Sequence, residues 1–172
     1  MTTFIRFQTA LVLISLIFIN ACTPTLDWRT TNLTSHGERY GLTFPGKALS
    51  AQKSVVLLEA PRDLTLHAVQ ADTAQFALGH LAAKDATEAQ ALANALAQAF
   101  ANNMGGELKR VTVNVAKTIG AFDVSYPGTS NRYAQARFLW TASAAYELLA
   151  LGKPQDLSAE TADTFIRSLR FE

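Results

Sequence analysis

A single cysteine, Cys22, stands in the whole 172-residue chain, so no intrachain disulfide staples this fold. Charge is scarce as well, at 17% of residues, and Arg6 is the only charge before position 22. The fifteen basic and fourteen acidic residues of the chain therefore leave fourteen of each beyond it, a formal net charge of zero. That balance gives no sign of a nucleic-acid partner or a polybasic membrane patch. No Gly-x-Ser-x-Gly elbow and no HExxH helix occurs, which removes two common hydrolase signatures. Gly41–Lys47 has P-loop spacing, but Ala48 stands where Ser or Thr would hold magnesium and Pro45 interrupts the segment. With no disulfide, the roughly 150 residues after position 21 rely on a hydrophobic core, and chains of that size bury about 70% of their unfolded surface.

What is present begins at the N-terminus. Arg6 precedes the apolar run ALVLISLIFI at 10–19, and Asn20-Ala21-Cys22 follows. This is a positive n-region, an h-region of signal-peptide length and a small residue before a cut. Ile19-Asn20-Ala21-Cys22 resembles the lipobox of bacterial lipoproteins. The resemblance implies that the Cys22 thiol receives a diacylglycerol, that the bond before it is cleaved, and that the new amine is acylated. Two or more acyl chains hold a protein stably on a membrane. Thr23, rather than Asp, after the cysteine implies transfer to the outer membrane, facing the periplasm. Other readings compete: an uncleaved anchor, since Phe7–Leu26 is about 20 uncharged residues, a free buried cysteine, for which the end of an h-region is a poor place, and an ordinary secreted protein. Asn20, Thr23, Pro24 and Thr25 are too polar for a hydrocarbon core and weigh against the anchor.

The expected organisation is a signal peptide at 1–21, a lipidated N-terminus and tether at 22–39, and one α+β domain at 40–172. If Trp28 docks on the domain, the free tether reaches roughly 20 Å, whereas order starting at Tyr40 would allow roughly 60 Å. Alternating apolar residues predict strands at 40–44, 54–58, 64–71 and 75–81, with the last two joined around Asp72-Thr73. Leu92, Leu96, Phe100 and Met104 recur every fourth residue and predict a helix over 87–104, capped by Thr87 with Gln90 and stopped by Gly105-Gly106. Strands follow near 111–115, at 122–126 up to Pro127-Gly128, and as a hairpin of 133–140 and 144–151. Ser158 then caps a closing helix with Ala162, Phe165, Ile166 and Leu169 on one face. The fold class predicted is α+β: an antiparallel sheet packed with two main amphipathic helices, in the order strands, helix, strands, helix.

The YGLTFP opening at 40–45, the ARFLW…AAYELLALG hairpin at 136–152 and the closing AETADTFIRSLRF at 159–171 are similar to the Mog1/PsbP-like domain of Gram-negative periplasmic lipoproteins. The resemblance implies an antiparallel sheet between helices and an accessory or binding role, and it transfers no catalytic residue.

Candidate chemistry is sparse. A two-residue turn at Asp72-Thr73 puts position 67 opposite 78 and 65 opposite 80, which makes His67 and His80 diagonal neighbours about 7 Å apart on one sheet face. Two histidines without a further ligand are not a metal site, and His36 is expected to face water. Glu59, Asp63, Asp85 and Glu88 fall at element ends, where solvated or capping roles are the default. Tyr126, Tyr133, Phe138, Trp140 and Tyr146 lie on neighbouring strands, with Phe138 and Trp140 on one face. They are expected either to pack under the closing helix against Phe165 and Leu169 or, if exposed, to mark a binding surface. The candidate binding residues are thus Trp28, Tyr126, Phe138 and Trp140, and the lipidation site is Cys22. The expected function is a non-catalytic, membrane-anchored envelope lipoprotein that binds another envelope protein, with no cofactor, metal or nucleic acid. The alternatives are a small-ligand or lipid-binding periplasmic module and a hydrolase with a scattered site.

Overall fold

The computed structural model describes residues 26–105, 109–129 and 132–172. Cys22 and the 1–21 segment lie outside these residues. Ten strands and two helices are described: β1 (Arg29–Ser35), β2 (Glu38–Phe44), β3 (Leu49–Leu57), β4 (Ala60–Ala71), β5 (Ala74–Ala82), α1 (Ala86–Met104), β6 (Lys109–Val113), β7 (Gly120–Thr129), β8 (Arg132–Trp140), β9 (Ala144–Gly152), α2 (Ala159–Ile166) and β10 (Arg170–Phe171). The protein is α+β, and every strand pairing is antiparallel. Seven strands form one sheet in the order β3-β4-β5-β9-β8-β7-β6, and β1-β2-β10 form a second, smaller one.

The large sheet is two meanders joined where β5 pairs with β9. These central strands are covered on both faces, which is why their sequences, AQFALGHLA and AAYELLALG, read as almost continuous apolar runs. One face packs against α1 through Leu92, Leu96, Phe100 and Met104, meeting Leu81, Phe122 and Phe138. The other face packs against β2 and α2, where Tyr40, Leu42 and Phe44 meet Phe76, Leu78, Leu148, Phe165 and Ile166. Each fully buried large side chain of this kind contributes roughly 1.5–3 kcal/mol of transfer free energy.

Several boundaries differ from the sequence reading. Much of the expected 22–39 tether belongs to the domain, because β1 pairs with β2 from Arg29↔Phe44 to Ser35↔Glu38. A polar edge strand carries little apolar alternation, so its pattern resembles a loop. Pro61 does not end a strand but sits in β4 opposite Val56, and the turn falls at Leu58-Glu59, both with positive φ. Pro127-Gly128 likewise lies inside β7, where the register to β8 shifts between Tyr126 and Thr129. The cap of α1 is Asp85, whose carboxylate accepts from the Glu88 N–H at 2.8 Å, two residues before the expected Thr87. Glu88 in turn accepts from the Lys84 N–H at 2.8 Å. Gly105, in the left-handed region at φ 71°, closes the helix. A strand, β10, follows α2 and pairs with β2.

Candidate functional site

Strand β6 forms one edge of the large sheet, and a cleft opens between it, α1 and the loop 114–119. Its volume is about 490 Å³, and its lining includes Gln90, Asn94, Arg110, Thr112, Asn114, Ile119, Phe122 and Trp140. That is within the ordinary size range of small-ligand sites, ~300–1,000 Å³. The cleft is shaped by three local contacts. Arg110 donates through Nη1 to Asn94 Oδ1 at 3.0 Å, and its guanidinium carbon lies 3.9 Å from the Phe122 ring centroid. Trp140 pairs with Gly120, and a Cβ at position 120 would meet the indole Cζ2 at 2.2 Å. Glycine is required there because the indole lies against the backbone. Thr118 donates its hydroxyl to the Val115 carbonyl at 2.9 Å and closes the loop.

A second constellation lies across the sheet, where the β1–β2 turn meets the β4–β5–β9 surface. His36 Nε2 and His80 Nδ1 share a hydrogen bond of 3.0 Å, and the His67 and His80 rings stack with centroids 5.7 Å apart. All three histidines of the chain converge here. His67 Nδ1 and Ser50 Oγ are 2.7 Å apart. Tyr146 donates its hydroxyl to Glu38 at 2.5 Å, and Tyr40 and Ser35 share a hydrogen bond of 2.9 Å. Burial lowers the pKa of His36 and of His67; for His80, burial and then the neighbouring His36 and His67 bring it down to about 4. The cluster is therefore neutral near pH 7. Tyr146 is held protonated, first by burial and then by its bond to Glu38.

Sequence reasoning placed His67 and His80 as found, since Thr65 pairs with His80 and His67 with Leu78. His36 is exposed on its turn, as expected, and in addition its ring reaches His80. The missing signal was β1, because only its pairing with β2 swings the 36–37 turn over the sheet. Among the described residues, no three His, Cys, Asp or Glu side chains are arranged to hold a metal ion. Ser50 and Lys53 have the Ser-x-x-Lys spacing, but on strand β3 three residues' separation sends them to opposite faces. The Ser50–His67 pair lies exposed, and no carboxylate among the described residues hydrogen-bonds His67.

The aromatic candidates separate. Trp28 is half-buried and meets Phe76 edge-on at 6.2 Å, so it packs on the domain. Phe138 is fully buried beside Phe122 and Phe100, which removes it as a ligand contact. It packs under α1, not under α2 with Phe165 and Leu169 as expected, because strand parity fixes a shared face without saying which helix covers it. Tyr126 packs partly buried on the same side. Trp140 alone of the four lines the cleft. Of the carboxylates, Asp85 and Glu88 cap α1, Glu88 also accepts from Arg62 at 2.8 Å, and Glu59 sits in a turn. Cys22 lies outside the described residues.

Compared with family models, with curated proteins and with solved structures, the chain matches none.

Proposed function

We propose that this chain is an envelope lipoprotein, acylated at Cys22 and held at the outer membrane facing the periplasm, whose domain acts by binding another envelope component and not by catalysis. The observation that supports the surface-bound form of this reading is how near to Cys22 in sequence the folded domain begins. Leu26 and Trp28 already pack against the core, so four residue steps separate Cys22 from the domain, about 14 Å at full extension. A domain on so short a leash works at the membrane surface. Its first component is a protein partner, with the Mog1/PsbP-like reading of the fold as support: antiparallel strands between two helices and an accessory role in that family. The cleft beside Trp140 favours a second reading, a small-ligand module.

Intact mass and membrane fractionation of the wild type beside Cys22→Ser test the proposal. The expected result is a lipid mass increment on the fragment beginning at Cys22, lost in the variant together with membrane retention. An unmodified, soluble wild-type protein overturns it. Crosslinking in intact membranes followed by mass spectrometry addresses the partner, and repeated recovery of no specific protein would shift the balance to the small-ligand reading.

A further inference from the structure

Arg110 is held in place without an acidic partner. Asn94 fixes one of its N–H groups, Phe122 lies beneath the guanidinium, and no ion pair to it occurs among the described residues. None of the described residues lining the cleft is Asp or Glu. A fixed guanidinium presents a planar donor fork that matches a carboxylate, and fixing it in advance reduces the ordering cost of binding. Phosphate is less well served. Among the described residues lining the cleft Arg110 is the one cation, and the N-terminus of α1 carries Asp85 and Glu88 in place of free donors.

Around that charge the open walls are mixed: exposed amides and a hydroxyl from Gln90, Asn114 and Thr112, each able to donate and to accept, alternate with apolar surface from Val113, Val115 and Ile119. Such walls suit a ligand that carries hydroxyl and acetamido groups on apolar ring faces. Trp140, half-buried with its indole against the Gly120 backbone, contributes apolar ring surface to the lining, the kind of surface on which the C–H face of a sugar ring packs. From this arrangement we infer that the cleft binds an N-acetylated saccharide bearing one carboxylate, with Arg110 on the carboxylate and Trp140 under the ring. The inference rests on the small-ligand form of the proposed function and names its ligand class.

The test uses the full chain in detergent with Trp28→Phe, which leaves Trp140 as the only tryptophan of two. Its fluorescence is followed during titration with the N-acetylglucosaminyl–N-acetylmuramic acid disaccharide, with neutral di-N-acetylchitobiose, and with N-acetylglucosamine 1-phosphate. The expected result is saturable binding of the acidic disaccharide, with the neutral one at least about tenfold weaker. Arg110→Gln should erase that difference while leaving weak binding of both. Thermal melts check that the variant folds; if it does not, the comparison of ligands on the parent protein still decides. Equal binding of the acidic and neutral sugars, tighter binding of the phosphate, or no response at Trp140 overturns the inference. A lipidated, membrane-held protein that ignores all three sugars would sink the inference and leave the proposed function standing. A soluble, unmodified protein that binds the acidic sugar would do the reverse.

Discussion

Tyr146 and Glu147 are neighbours on β9 and point to opposite faces of the same sheet, Tyr146 toward β2 and Glu147 toward α1. Both are buried. Tyr146 has Glu38 at 2.5 Å, supplied by the start of β2 just beyond the β1–β2 turn. Glu147 lies against Gly79, where a Cβ would meet its Oε1 at 2.7 Å, and no ion pair or side-chain hydrogen bond to it occurs among the described residues. Burial alone pushes its carboxyl up to about 7. A sheet layer and its turns bring polar side chains and backbone ends over a neighbouring face, whereas the buried stripe of an amphipathic helix such as α1 offers Ala, Leu and Phe. At this pair of neighbours the polar group is thus satisfied on one face and left without a partner on the other, although the α1 face also holds the Arg62–Glu88 ion pair.

The largest effect should come from removing a partner on the satisfied face. Arg137 grips Asp123 through two N–H groups at 2.7 and 2.8 Å, and a third donates to the Ile166 carbonyl at the end of α2 at 3.1 Å. Breaking a buried pair by deleting one member leaves a stranded charge and typically costs about 3–5 kcal/mol. Arg137→Ala should lose stability on that scale in urea unfolding. A loss below about 1 kcal/mol would mean that water replaces the pair, and the distinction between the two faces would fail there.

The next test sets the two faces against each other through pH. An acid whose pKa is raised on folding destabilises the native state as pH climbs from its unfolded value through its folded one, because the native state then holds more protons. For Glu147 that window runs from 4.5 to about 7. A base whose pKa is lowered does the opposite: the His80 contribution is intact above 6.5 and lost as pH falls toward about 4. Between about pH 4.5 and 6.5 the two oppose each other, each worth roughly 3 kcal/mol at ~1.4 kcal/mol per pKa unit. Glu147→Gln should therefore stabilise the protein near pH 8 by up to about 3 kcal/mol and make stability rise more steeply with pH across the 4.5–6.5 window. His80→Phe, which keeps a ring in the stack, should tilt the same window downward. Parallel pH–stability profiles for the wild type and both variants would contradict the assignment of these opposing roles.

Much of the framework was legible in the sequence because it is carried by local periodicity. The four-residue spacing of Leu92, Leu96, Phe100 and Met104 marks α1, and Asp72-Thr73 fixes the β4–β5 register that aligns His67 with His80. What escaped was structure built from pairing alone. β1 is polar on an edge, so nothing in its own residues announces that it folds back over the sheet and carries His36 to His80. The Leu58-Glu59 turn has positive φ at both residues without the Gly or Asn that would signal it. The cleft was half legible. Trp140 stood out as an aromatic, but Arg110 gains meaning only once α1 brings Asn94 beside it and β7 slides Phe122 underneath.

The smallest effect separates a lost hydrogen bond from a lost partner. Tyr146→Phe removes the hydroxyl that donates to Glu38, yet Glu38 keeps an oxygen 3.3 Å from the Ser143 hydroxyl and is not orphaned. The ring remains packed edge-on between Tyr40 and Phe171. Because the acceptor stays satisfied, the cost should fall at the low end of that for one charge-assisted bond, about 1.5 kcal/mol. Amide exchange should quicken in β1 and β2, which the bond ties down, and stay unchanged in α1 on the far side of the sheet. Faster exchange in α1 as well would mean that the two faces open together, and the independence on which their contrast rests would be lost.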